Sequence, residues 1–391
     1  MYIALLGRQP ALGMAELERR YGEDATSWFS DVSAKISTDT LSIEQLGGIQ
    51  KAGQVVIELP GGDWRRVSMK IVQAYTHAWS GFDGKITLGI SAYGFDVSPR
   101  EIQQTGIILK QKLKKVNVSL RMIPNNDTAL NTATSHHNKL GLSNNKVELL
   151  VVRARNGRVI VAESTGAQNI TAYTKRDQER PKRDAFVGML PPKLAQIMIN
   201  LAAPAPDARI LDPFCGTGVV LQEAALLGHA VYGTDLSEKM IRYSKENLDW
   251  LKETHRATFE YDLHEGDAMD TSWQGPIGAV VGETYLGQPF SAHPHPPSSI
   301  KSAAIATISS ARSSKTLPRR SQPAHPSQLP FLPGSVLTAA LFTCHLSTNS
   351  INSASLAIAS RTSRTMNSST TERIKSLPAS YSFSSRLDET L

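Results

Sequence analysis

Asp212, Gly216, Gly218 and Asp235, within ARILDPFCGTGVVLQEAALLGHAVYGTD, carry the most specific chemical signal in the chain. A short apolar run ends in Asp212, a glycine-bearing turn follows, and a helical run begins. Backbone at such a turn can approach a ligand closely at a helix N-terminus. Asp235, closing the next apolar run, is placed to accept both hydroxyls of a ribose. A dinucleotide is the competing occupant. Its G-x-G-x-x-G pattern is incomplete, because Val219, Val220 and Leu221 follow Gly218, and Asp212 would repel a pyrophosphate. A ligand with a cationic centre and no phosphate fits better, and S-adenosylmethionine offers both a sulfonium and an ammonium. The plainer alternative is that Asp212 and Asp235 only cap the helices that follow them. Cys215 reads as a small packing residue, since no His or second Cys lies nearby in sequence to make it a nucleophile.

These residues need a scaffold of alternating strands and helices, and from Pro191 the sequence supplies one. PPKLAQIMINLA is an amphipathic helix with proline in its first turn. ARILD, HAVYGTD, a run near TFEYDLHEGD, and IGAVVGE read as strands, separated by helical VVLQEAALLG and LSEKMIRYSKENLDWLKE. Such alternation predicts parallel strands with helices on both faces and a ligand beyond the strands' carboxyl ends. Upstream, residues 1–60 read as β-α-β-β-α-β, a ferredoxin-like order whose second helix is SIEQLGG. Residues 61–170 repeat the style, with strand ITLGISAYG, helix SPREIQQTGIILKQKLKKV, strand VSLRMI, helix TALNTATSHHNKL and strands VELLVVRAR and RVIVAEST. Residues 171–190 have no sustained period and read as a surface linker, followed by an α/β domain over 191–290. After residue 290 the chain turns Ser-rich and loses its periodicity. That predicts a tail over 291–391 that is disordered or read in a shifted frame, and a parallel sheet left incomplete after its fourth strand.

Bulk charge is a poor guide to partners here. The chain carries a net charge of +7, but 10 of its 42 basic and 3 of its 35 acidic side chains follow residue 290, so the first 290 residues balance at 32 each. Cys215 and Cys344 are the only cysteines, which excludes a disulfide framework and fits a reducing, cytoplasmic setting. No apolar run approaches the roughly 20 residues of a membrane span. His136 and His137 have no metal-ligand spacing with other His or Cys, and no metal is expected. Locally, LKQKLKK sets Lys110, Lys112, Lys114 and Lys115 along a helix with Arg121 on the next strand, which could track phosphates or form a solvated face. The linker adds Lys175, Arg176, Arg180, Lys182 and Arg183 beside Asp177, Glu179 and Asp184.

DPFCGTG resembles the first motif of S-adenosylmethionine-dependent RNA methyltransferases. RDQERPKRD with VGMLPPKLAQIMINLA resembles the entrance to the catalytic domain of THUMP-containing tRNA guanine-N2 methyltransferases, and SAYG, LKQKLKK, LRMIP and HNKLG are similar to that family's THUMP domain. The resemblance covers residues 1 to about 290. It implies a Rossmann-like domain in which Asp212, Phe214, Gly216 and Gly218 frame the methionine and ribose end of S-adenosylmethionine. Asp235 then holds the ribose and Asp267 of EGDA the adenine amine. It also implies that Lys110, Lys114, Lys115, Arg121 and Arg180 contact tRNA. In amino-methylating relatives the strand matching IGAVVGE ends in Asp or Asn followed by Pro-Pro-Tyr. Here Glu283, Thr284, Tyr285 and Leu286 stand in those places. Glu283 and Tyr285 are the expected catalytic pair, holding and stacking a flipped base, although both prolines are missing. The alternative is an RNA-binding protein that keeps the fold and is catalytically silent.

Overall fold

Ala4 and Leu6 face one side of β1 (Tyr2–Leu6) and Ile3 and Leu5 the other, and all four are buried, so this strand must sit inside a sheet covered on both sides. The computed structural model, which describes residues 1–184, 190–284, 338–344 and 354–360, places it there. β1 lies between β3 (Ser33–Ile36), with β2 (Thr26–Ser30) outside it, and β4 (Ile49–Leu59). α1 (Pro10–Tyr21) covers one face, setting Met14 and Leu17 on Ala4, Leu6, Ala34 and Ile36.

β4 continues past β1 and pairs antiparallel with β8 (Val159–Ala167), so residues 1–167 share one sheet. Its remaining strands are β5 (Lys85–Tyr93), β6 (Ser119–Met122) and β7 (Lys146–Arg153), in the order β2-β3-β1-β4-β8-β7-β5-β6. α2 (Trp64–Ala78) and α3 (Pro99–Lys114) bury Val67, Ile71, Ile102 and Leu109 against Leu88, Leu149, Val151 and Val161. Both start on side-chain caps. The Asp63 carboxylate accepts from Arg66 N at 2.9 Å, and Ser98 with Glu101 forms a reciprocal capping box.

Three segments differ from the sequence expectation. SIEQLGG forms only a 3₁₀ turn, Ile43–Gln45, because Gly47 and Gly48 follow at once and their N–H groups are drawn to the Glu16 carboxylate at 2.9 and 2.7 Å. TALNTATSHHNKL shortens to α4 (Thr132–His137), which Asn131 caps. The first part of the linker is helical, with α5 (Ile170–Thr174) running into a π-helical turn over Lys175–Glu179.

Inside the first sheet, Lys51 and Glu148, 2 and 0 % exposed, form an ion pair that also holds a loop. Lys51 Nζ donates to Leu130 O at 2.7 Å, while Ser91 Oγ donates to Glu148 at 2.6 Å and accepts from Leu130 N at 2.9 Å. Burial pulls the Lys51 ammonium below its usual range, against the pull of Glu148. A second buried polar seam joins this sheet to α6 (Pro192–Ala202). The Glu16 carboxylate accepts from Asn200 Nδ2 at 2.7 Å, Gln196 Nε2 donates to Glu44 O at 2.8 Å, and Arg19 Nε to Leu201 O at 3.1 Å.

α6 backs the second sheet. Its strands are β9 (Ile210–Asp212), β10 (Val231–Asp235), β11 (Tyr261–Glu265) and β12 (Ala279–Glu283), with α7 (Val219–Leu226) and α8 (Glu238–His255) between them. The order β11-β10-β9-β12 is parallel throughout and reverses direction of travel at β9, a topological switch point. The sheet does not stop at its fourth strand. β13 (Thr338–Cys344) pairs parallel to β12 and β14 (Ala354–Ser360) antiparallel to β13, satisfying an edge that would otherwise present unpaired backbone groups. Glu148→Leu should destabilise the first sheet by about 3–5 kcal/mol in urea unfolding followed by tryptophan fluorescence, because Lys51 is left buried and unpaired. Adding Lys51→Met should recover more than half of that loss.

Candidate functional site

Asp212, Asp235 and Glu283 are each the last residue of a parallel strand, and β9 stands between the other two. The topology therefore brings three carboxylates to one crevice beyond the strands' carboxyl ends. Asp212 is 2 % exposed and its Oδ1 accepts from Phe214 N at 3.0 Å. Asp235 accepts from Gly216 N through Oδ2 and from Ser237 N through Oδ1, both at 2.9 Å, so one side chain fixes the glycine turn and the start of the next loop. Gly218 opens α7 with φ 82°, and a Cβ there would lie 2.9 Å from Ser244 Oγ. A Cβ on Gly282 would meet Asp212 Oδ1 at 2.5 Å, so only glycine lets β12 pass this close to the acid.

Burial pushes Asp212 up to about 8; the neighbouring charges of Asp235 and Glu283 add to this, and the Phe214 N–H opposes it. Burial also raises Asp235, against the N–H groups of Ser237 and Gly216, and raises Glu283. No cationic side chain among the described residues offsets the charge on Asp212. A ligand bringing positive charge would therefore stabilise the ionised acids, whereas a pyrophosphate would meet a field of its own sign. Cys215 is buried, its thiol is pushed well up by burial, and it sits among core side chains. Among the described residues no group of three His, Cys, Asp or Glu is placed to hold a metal ion.

Asp267 is exposed on the rim of the crevice, beside Gly266, whose N–H donates to Asp235 O at 2.9 Å. Its Oδ1 accepts from Met269 N at 2.9 Å, so it also shapes its own turn. Leu236, 72 % exposed directly after Asp235, is a rim residue that sequence reasoning passed over. The available signal was an apolar side chain set after a strand-ending acid, outside any core period. Tyr285 lies outside the described residues.

Lys110, Lys114, Lys115 and Arg121 are all exposed, with the lysines at the C-terminal end of α3, where cations suit the helix dipole. Arg180 departs from the expectation that grouped it with them. It is 3 % exposed, and its Nε and Nη2 find no hydrogen-bond partner. Arg176 is likewise buried, paired with Glu223 at 2.6 Å, so this end of the linker is packed inward. A cavity of about 730 Å³ lies at the opposite pole of the second sheet, lined by Arg209, Lys252, Phe259 and Tyr261 with Glu260 and Asp262. Its charges balance, and it is remote from the three strand-end acids.

A family model described as the RMKL-like methyltransferase domain (UPF0020) matches residues 180–274, a stretch that includes Asp212, Asp235 and Asp267 and ends before Glu283. The chain is 36 % identical over 113 residues to the tRNA (guanine(10)-N2)-dimethyltransferase of Methanothermobacter thermautotrophicus, covering 28 % of this chain and 32 % of that protein. It is 48 % identical over 79 residues to the enzyme of the same name from Pyrococcus abyssi, covering 20 % and 22 %. The chain thus spans about a third or less of the length of these curated relatives. The crystal structure of TrmN from Thermus thermophilus aligns over 88 % of each chain at 17 % identity with a TM-score of 0.48.

Proposed function

We propose that the chain is an S-adenosylmethionine-dependent RNA methyltransferase that acts on the exocyclic N2 of a tRNA guanine. The observation that carries this reading is the convergence of Asp212, Asp235 and Glu283 on a glycine turn, with no cation among the described residues to balance them. Bound there, S-adenosylmethionine would supply an electrophilic methyl group on a sulfonium. Asp212 would face its positive charge, Asp235 would accept from the ribose hydroxyls, Asp267 would accept from the adenine amine, and Leu236 and Phe214 would offer apolar surface around it. Glu283 would accept a hydrogen bond from the target amine and take up its proton, which orients the nitrogen lone pair for methyl transfer, and Tyr285 would stack on the flipped base. Residues 1–60 form the ferredoxin-like part and 61–170 the THUMP-like part, with Lys110, Lys114, Lys115 and Arg121 as the phosphate-tracking face. Residues 171–190 connect these to the cofactor domain over 191–290, and the Ser-rich remainder follows.

Transfer of a labelled methyl group to unmodified tRNA transcript tests this reading. The wild-type chain should incorporate label, and Glu283→Ala should lower the rate on the order of 100-fold while S-adenosylhomocysteine still binds. Binding of that product without transfer to any tRNA pool would leave a silent RNA-binding protein. Absence of binding would remove the cofactor assignment altogether.

A pH dependence follows from Asp212. Its pKa of about 8 lies above the ordinary value, so the folded chain without ligand holds a proton that the unfolded chain releases near pH 4. The stability this proton contributes is complete below about pH 4 and is lost as pH rises through about 8. A cationic ligand needs the ionised acid, so affinity for S-adenosylmethionine, followed by calorimetry, should rise by up to about tenfold per pH unit below pH 8 and level off above it. Asp212→Asn should flatten that slope.

A further inference from the structure

The inner face of α8 carries two polar residues where its apolar stripe would otherwise continue. Ser244 and Asn247, one turn apart, are both 0 % exposed among buried Met240, Leu248 and Leu251. Ser244 Oγ donates to Gly216 O at 2.8 Å. Asn247 Nδ2 donates to Thr217 O and to Lys182 O, and Asn247 Oδ1 accepts from Lys182 N, all at 2.9 Å. Two successive carbonyls of the glycine turn are thereby directed at α8, and both backbone groups of Lys182 are satisfied as a neighbouring strand would satisfy them.

Lys182 belongs to a strap, residues 176–184, that crosses from α7 to the start of α8. Arg176 holds Glu223 of α7 at 2.6 and 3.1 Å, Lys182 Nζ meets Glu246 at 3.1 Å, and Asp184 accepts from Lys239 Nζ at 2.8 Å. The Lys182–Glu246 and Lys239–Asp184 pairs are partly or largely open to solvent, where such pairs contribute little. Asn247 is different: it is buried and joins the strap directly to the turn. The contacts dictate the residue type, since they need two hydrogens and one acceptor on the same short side chain.

We propose that Asn247 is a positioning residue for the cofactor turn: it locks the strap to the carbonyl side of residues 216–217, so that ligand affinity depends on a side chain that does not touch the ligand. This rests on the cofactor reading above. Asn247→Asp keeps the shape and the acceptor for Lys182 N, but sets an anion against two carbonyl oxygens. The full-length variant should bind S-adenosylhomocysteine on the order of tenfold more weakly than wild type at pH 8. In methyl transfer, KM for the cofactor should rise by the same factor, with kcat and the KM for tRNA within about threefold of wild type. The ratio to wild type should shrink at pH 5, where protonation of the introduced carboxylate restores one donor. In the wild-type chain, which avoids any folding defect, S-adenosylhomocysteine should slow amide hydrogen exchange at Lys182 together with residues 215–218. Affinity of the variant within twofold of wild type, a parallel loss of kcat and tRNA binding, or exchange that slows in the turn and not at Lys182 would each overturn the role. Failure of the wild-type chain to bind the product at all would instead sink the cofactor reading on which this role stands.

Discussion

Like charges brought to the ends of adjacent parallel strands repel, and the second half of this chain is organised around containing that repulsion. Asp235 spends both oxygens on backbone N–H groups, Asp212 one on Phe214, and burial raises all three acids toward neutrality. The glycine turn, the close passage of β12 at Gly282 and the polar face of α8 all serve the same small volume. Dispersing the acids would ease the fold and remove the feature that distinguishes this crevice from a phosphate site.

Buried polar groups, beside the apolar contact of Ile197 with Gly47, attach the first sheet to the domain that carries the crevice. Glu16 accepts from Gly47, Gly48 and Asn200, and its burial raises its pKa against those three bonds. A polar joint of this kind is directional. It fixes α6 relative to α1 in one geometry, where an apolar contact would tolerate sliding. The cationic end of α3 and the carboxylate crevice belong to the same compact unit.

What sequence revealed follows physical locality. The bend around Gly216, the strand-ending acids and the start of α3 at Ser98-Pro99-Arg100-Glu101 depend on neighbours a few residues away, and they were legible. Ser244 and Asn247 could have been noticed as polar residues in an apolar helical stripe, but their partners come from the glycine turn and the strap, which no periodicity records. The π-helical turn and the inward side of Arg180 were hidden because charged residues usually signal solvent, and here Arg176 finds a buried acid. β13 and β14 were missed because a pattern-poor segment can still supply backbone to an open edge.

The long strand β4 has a temporal implication. It pairs with β1 at one end of the sequence and with β8, whose residues 159–167 emerge about a hundred positions later. During synthesis the early four-stranded unit β2-β3-β1-β4 has one exposed flank, that of β4, until β8 leaves the ribosome, so the leading segment cannot complete its sheet as it appears. Closure is late and non-local, which places the slow step of assembly, and the greatest exposure to wrong partners, in the interval between those two strands.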